Sequence, residues 1–202
     1  MLIIKSKYRI AKRLGAGVFD QTQTQKFSLN EANAPKKRSA RGGGSDYGRQ
    51  LLEKQRVRFT YGLSEKQLSN YAEIAYVQKD PSSALHKSLE MRIDTAVYRA
   101  GLVSTRRGSR QAVSHGHITI NGVRTKTPSQ RVKKGDVISV RDGSRKNALF
   151  ADLAERSVEG RAIPQWLSVD LKALKAEVKD EPQYTTVETG LDYATVFEFY
   201  SR

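Results

Sequence analysis

Cysteine is absent from the 202 residues, which excludes disulfides, thiolate nucleophiles and cysteine-ligated zinc or iron–sulfur sites. Long apolar runs are missing too. Nothing approaches the ~18 residues of a membrane-spanning helix, and Leu2-Ile3-Ile4 is too short for the core of a secretion signal, so no membrane partner is expected. Acidic residues are scarce: 21 Asp and Glu stand against 36 Lys and Arg, leaving a formal net charge of +15 and a pI near 10.1. A compact chain this basic repels itself unless a polyanion compensates it. With 3 histidines, the pair His115 and His117 lacks the further ligands that a metal needs. No constellation of nucleophile, base and acid stands out, so neither a cofactor nor a small-molecule substrate is expected.

What is present is charge in blocks. Residues 1–58 carry an excess of +10, residues 59–90 of −1, residues 91–146 of +10 and residues 147–202 of −4. Two footprints therefore hold the surplus, each next to a stretch able to do the packing. Arginine outnumbers lysine in the second footprint. Its planar fork of donors suits phosphate and base stacking, so RNA is the favoured polyanion.

Residues 1–46 lack periodicity and end in a Pro-Lys-Lys-Arg run before Gly42-Gly43-Gly44, which predicts an extended basic arm that orders on phosphate. From Tyr47 the pattern is helical, with Leu51, Leu52, Val57 and Phe59 apolar and Arg49, Lys54, Arg56 and Arg58 elsewhere around the cylinder. Tyr61-Gly62 stops this helix. Ser64 and Gln67 form a capping box for the next one, which carries Leu68, Tyr71, Ala72 and Ala75. After Asp80-Pro81, the four-residue recurrence of Leu85, Leu89, Ile93 and Val97 predicts one helix ended by Gly101, with Arg92 and Arg99 sharing a face. Thr105 caps a short helix with Arg106, Arg107 and Arg110. Alternation then begins at Ile118, and Asn121-Gly122 is a hairpin signal. Lys134-Gly135-Asp136 precedes another strand over 137–141. The acidic tail reads as a helix at Leu149–Arg156, strand-like or helical stretches at Trp166–Val169 and Ala194–Tyr200, and packing back on the rest.

The expected fold class is α+β. Its parts are a basic arm over 1–46, a helical domain over 47–88, a helix–helix–antiparallel-sheet module over 89–142 and a C-terminal segment over 143–202.

These residues resemble a known family, the bacterial and organellar small-subunit ribosomal protein four. The likeness runs through Ser45-Asp46-Tyr47-Gly48, Leu52-Glu53-Lys54-Gln55-Arg56-Val57-Arg58, Leu89-Glu90-Met91-Arg92-Ile93-Asp94, Val97-Tyr98-Arg99-Ala100-Gly101 and Arg110-Gln111-Ala112-Val113-Ser114-His115, and ends in Tyr200-Ser201-Arg202. The resemblance implies a ribosomal protein, with 89–142 as the RNA-binding module named after it. It implies binding to small-subunit ribosomal RNA at a 5′-domain junction early in assembly, contact with small-subunit ribosomal protein five, and a place near the channel through which messenger RNA enters. On position, Lys36, Lys37, Arg38 and Arg41 are candidates for messenger contact. Many relatives hold zinc with four N-terminal cysteines; this chain has none, so no metal is expected there.

The candidate RNA-binding face comprises Arg92, Arg99, Thr105, Arg106, Arg107, Arg110, Gln111 and His115 with the hairpin residues Asn121, Arg124 and Lys126. Arg49, Lys54, Arg56 and Arg58 are further candidates in the first block. The rival classes are a stand-alone RNA-binding factor built on the same module and an enzyme, because the module is also appended to pseudouridine synthases whose motif contains Arg-Leu-Asp, which Arg92-Ile93-Asp94 mimics. Here the triplet falls within the module's own helix, and Asp94 reads as one half of a local ion pair. Gly108 sits inside the second module helix, where it costs about 1 kcal/mol against Ala, predicting a short or distorted helix.

Overall fold

The computed structural model describes residues 4, 6–33, 45–151 and 163–201. In chain order its helices are α1 (Lys7–Leu14), α2 (Gln25–Ala32), α3 (Asp46–Thr60), α4 (Glu65–Tyr76), α5 (Pro81–Glu90), α6 (Ile93–Arg99) and α7 (Arg106–Ser114). The strands β1 (Ile118–Ile120), β2 (Val123–Arg124) and β3 (Val137–Val140) follow, then α8 (Ala148–Ala151), β4 (Leu167–Asp170), β5 (Lys175–Val178), α9 (Thr186–Thr189) and α10 (Tyr193–Tyr200). The fold class is α+β. Two compact units share these elements: Met1–Leu85 with Tyr184–Arg202, and His86–Gln183.

The first unit is helical. Ser64 caps α4 through the capping box read from the sequence, its Oγ accepting from the Gln67 amide while the Gln67 side chain accepts from the Ser64 amide. Leu68, Ala72 and Ala75 bury one stripe of α4, and α10 packs against α3 and α4. Tyr61 and Tyr193 meet hydroxyl to hydroxyl at 3.1 Å in the interior, which satisfies two polar groups that would each be costly to bury alone. The expectation of an extended arm over 1–46 fails for residues 6–33. They form α1, two 3₁₀ turns and α2, burying Ala11, Leu14, Val18 and Phe27. Sparse apolar residues nonetheless fall on one face of α1, and tertiary packing completes what its short periodicity could not show.

The second unit is a helix pair on a sheet. All strand pairings are antiparallel, in the order β2-β1-β3-β5-β4. Its core joins Ile93, Val97, Ala112 and Val113 of α6 and α7 to Ile118, Ile138, Val140, Ala176 and Val178 of the sheet. Each fully buried Val, Ile or Leu contributes roughly 1.5–3 kcal/mol by leaving water. Asn121 and Gly122 adopt the positive φ angles, 50° and 81°, that a two-residue hairpin turn requires. The stretch read as strand-like or helical at 166–169 is β4. Together with β5 it extends the sheet from the tail, while α10 belongs to the other unit.

The single helix expected through Leu85, Leu89, Ile93 and Val97 is two helices. Arg92 is extended (φ −75°, ψ 140°) and bridges Arg131. The amides of Ile93 and Asp94 donate to Gln130 and Pro128 carbonyls at 2.8 and 3.3 Å, and the Val132 amide donates to Met91 at 2.8 Å. A remote segment therefore takes the hydrogen bonds that would have continued the helix. All four apolar positions stay buried, which is why the periodicity concealed the break.

Candidate nucleic-acid interface

Helix α7 starts at Thr105, whose Oγ1 accepts from the Gly108 amide at 3.0 Å, a cap worth about 1 kcal/mol. Gly108 is there for room. A Cβ at this position would lie 2.9 Å from both Thr105 Oγ1 and Val103 Cγ1, so the helix closes onto its own cap only without a side chain. The helix runs nine residues, to Ser114, short as the sequence suggests. Ala112 and Val113 face the core, and Ser109 donates to the Asp94 carbonyl at 2.8 Å, locking α7 to α6. Arg107, Gln111 and Ser114, spaced to share a face, are exposed along the opposite side, as is His115. Among the described residues Arg107 makes no ion pair.

Two buried carboxylates organise the remaining module arginines. Glu90, 1% exposed, accepts both a 2.7 Å bond from Arg99 Nε and a 2.9 Å bond from Arg99 Nη2, with Arg106 Nη2 at 3.9 Å. Burial alone pushes the Glu90 carboxyl up, but the charge and hydrogen bonds of Arg99, then Arg106 and His86, hold it down at about 2. Arg106 also stacks over the Tyr98 ring, 4.5 Å from its centroid. Asp94 takes Arg92 in a fork of 2.9 and 2.7 Å, accepts from the Thr95 amide at 3.0 Å and lies 3.8 Å from Arg110. The arginine side chains at 99, 106 and 110 keep 31%, 19% and 20% of their surface. Partly exposed and positioned by carboxylates, these side chains have less freedom to lose on gripping phosphate, which lowers the entropy cost.

Several sequence candidates have other work. Arg92 is 1% exposed and shares no outer face with Arg99; its charge is spent on Asp94. Lys54 is 6% exposed, with its ammonium 2.7 Å from Glu65 and 4.0 Å above the Phe199 ring. The same carboxylate accepts from the Tyr200 hydroxyl at 3.1 Å, and burial together with Glu65 raises that phenol's pKa. Arg56 ties the end of α1 to α3 through the Leu14 carbonyl at 2.9 Å and pairs with Glu53. Arg58 donates to Gln55 and to the Leu63 carbonyl. Asn121 clamps two turns together, donating to Asp136 and accepting from the Val137 amide, both at 2.9 Å. Arg124 donates to the carbonyls of Gly116 and His115 at 2.9 and 3.0 Å, while its residue stays exposed. Arg49 and Lys126 are exposed. Lys36, Lys37, Arg38 and Arg41 lie outside the described residues.

Some exposed cations went unnoticed in the sequence. Arg9, Lys12 and Arg13 line the outer side of α1, and Arg131, Lys133 and Arg141 border the sheet. The α1 group had a signal, since Ala11 and Leu14 alternate with the cations at helical spacing. The sheet group had none, because its members come from separate turns and strand ends.

Two family models match the chain: the ribosomal protein S4/S9 N-terminal domain over residues 3–91 and the S4 domain over residues 91–138. The small ribosomal subunit protein uS4 of a Roseiflexus species is 39% identical over 202 residues, covering 96% of each chain. That of Chromobacterium violaceum is 39% identical with 98% of each chain covered, and that of Mycobacterium marinum 42% identical with 81% of each covered. These relatives are named as ribosomal proteins and not as enzymes. The buried, fully engaged Asp94 has no access to a substrate, in keeping with that. By match length and identity, the chain belongs to the small ribosomal subunit protein uS4 family.

Proposed function

We propose that this chain is a structural component of the small ribosomal subunit that binds its ribosomal RNA, with the outer face of α7 as the centre of contact in the second unit. The single observation that carries this reading is the pair of buried carboxylates, Glu90 and Asp94, which gather the partly exposed Arg99, Arg106 and Arg110 beside the open Arg107, Gln111 and His115. Lys126 adds to this face, and within the first unit Arg49 and the exposed cations of α1 are further candidates for RNA contact. Family membership supports the finer reading as well. On it, the chain joins a 5′-domain junction early in assembly, sits beside small-subunit ribosomal protein five, and reaches incoming messenger through Lys36, Lys37, Arg38 and Arg41, contributing to accuracy. The bacterial relatives support a place on the ribosome of the bacterial cytoplasm.

Recognition should follow RNA shape, since A-form grooves offer side chains little base information. The test is the affinity of the full chain for a small-subunit ribosomal RNA transcript across a salt series. About eight phosphate contacts give a log–log slope near −7. Exchanging Arg107 and Arg110 for Gln flattens it. Salt-insensitive affinity, or equal competition from an unstructured strand of the same length, refutes the reading.

A further inference from the structure

One face of the sheet packs on the core; the other is polar. Register carries Arg124 of β2 to Thr119 of β1, Thr119 to Ser139 of β3, and Ser139 to Lys175 of β5. All four therefore stand on the face opposite Ile118, Ile138 and Ala176. Two residues along the strands, the Arg141 amide donates to the His117 carbonyl at 2.9 Å, which adds His117 and Arg141 to the same face.

The pattern is two short hydroxyl side chains flanked by long cations. Thr119 and Ser139 hydroxyls meet at 2.7 Å in the middle. Strand spacing of about 4.8 Å sets Arg124 and Lys175 some ~14 Å apart across this trough. Arg124 is pinned by its two carbonyl partners, and Gly116 leaves the space its guanidinium fills. Arg141 and Lys175 are exposed and make no ion pair among the described residues. Two carboxylates share this face beside Lys175: Asp170 of β4 stands directly opposite it, and Glu177 lies two residues along β5, opposite Val137.

His117 senses the same field. Its Nδ1 is 3.0 Å from Ser144 Oγ. Burial first, then the neighbours His115, Arg141 and Arg124, hold its pKa below the ordinary value. Two guanidinium charges close to one imidazole disfavour its protonation unless an anion joins them.

We propose that this open sheet face, built from His117, Thr119, Arg124, Ser139, Arg141 and Lys175, is a second surface for the RNA sugar–phosphate backbone, separate from the face of α7. A protein partner would require an apolar or aromatic centre. Val137, 36% exposed, is the large apolar residue here, and the middle is hydroxyl. Guanidinium and ammonium groups, an imidazole and the Ser139 hydroxyl are what phosphate oxygens accept from, while Thr119, 7% exposed and bonded to Ser139, forms the floor between them. The inference rests on the RNA-binding reading above and deepens it.

The experiment compares R141Q, K175Q and R107Q with the unaltered full chain on the same ribosomal RNA transcript, with NMR observation of the His117 ring. Losing one phosphate contact flattens the salt slope by about 0.9 and weakens binding about eightfold at 0.1 M salt. Both sheet variants should show this, and RNA should raise the His117 pKa. If R107Q weakens binding while R141Q and K175Q match the unaltered chain and His117 does not move, the sheet face is not an RNA surface. If R141Q instead impairs capture of an acidic protein with RNA affinity intact, the partner class is wrong. Failure of the unaltered chain to bind the transcript sinks both readings together.

Discussion

Replacing Glu90 with Gln tests the organisation of the arginine face. The side chain is buried beneath Arg99 and Arg106, and its carboxyl titrates at about 2 instead of the ordinary 4.5. At 1.36 kcal/mol per pH unit, that depression corresponds to about 3 kcal/mol of stability at neutral pH. Removing one partner of a buried pair costs about 3–5 kcal/mol by itself, so two independent routes agree. A depressed carboxyl contributes fully above its unfolded value and loses that contribution as pH falls from about 4.5 toward 2. The gap between the two proteins should therefore be about 3 kcal/mol at pH 7, about 2 at pH 3.5 and near zero at pH 2. Urea unfolding followed by tryptophan fluorescence measures it, because the lone Trp166 lies in the core of the second unit. Other carboxyls titrate in both proteins and cancel in the difference. A gap below about 1 kcal/mol at pH 7, or one that stays constant down to pH 3, refutes the claim that Glu90 holds the arginines by charge.

Two further substitutions separate structure from binding. Gly108→Ala should destabilise the second unit by about 1–2 kcal/mol in the same assay, the reverse of its helix propensity gain, because the new Cβ meets Thr105 and Val103; a stabilised variant would show the close approach to be harmless. Lys54→Met keeps the buried stem and deletes the charge over Phe199 and beside Glu65. It should lower the thermal stability of the chain while leaving the salt slope of RNA binding unchanged. A flatter slope would return Lys54 to the RNA interface.

Much of the chain was legible because its signals are local. The Ser64–Gln67 box, the Thr105 cap and the Asn121-Gly122 turn involve groups within about four residues, so the contact partners are written next to one another in the sequence. The uneven distribution of charge pointed to RNA for a similar reason: net charge sums over a segment whatever its fold. What sequence could not sort was which cations are free. Arg92, Lys54 and Arg124 look like their neighbours in a list of basic residues. Their fates depend on Asp94 in the first turn of α6, on Glu65 and Phe199, and on carbonyls at the end of α7.

By itself the sequence determined the α+β class, the polyanionic partner and several helix ends, since caps, turns and charge excess act over short range or as sums. Tertiary structure alone decided that α5 and α6 are separate, that β4 and β5 join the sheet, and which arginines reach the surface. The first two outcomes depend on partners distant along the chain, and burial of a charge is settled only by the particular carboxylate or carbonyl that folding brings to it.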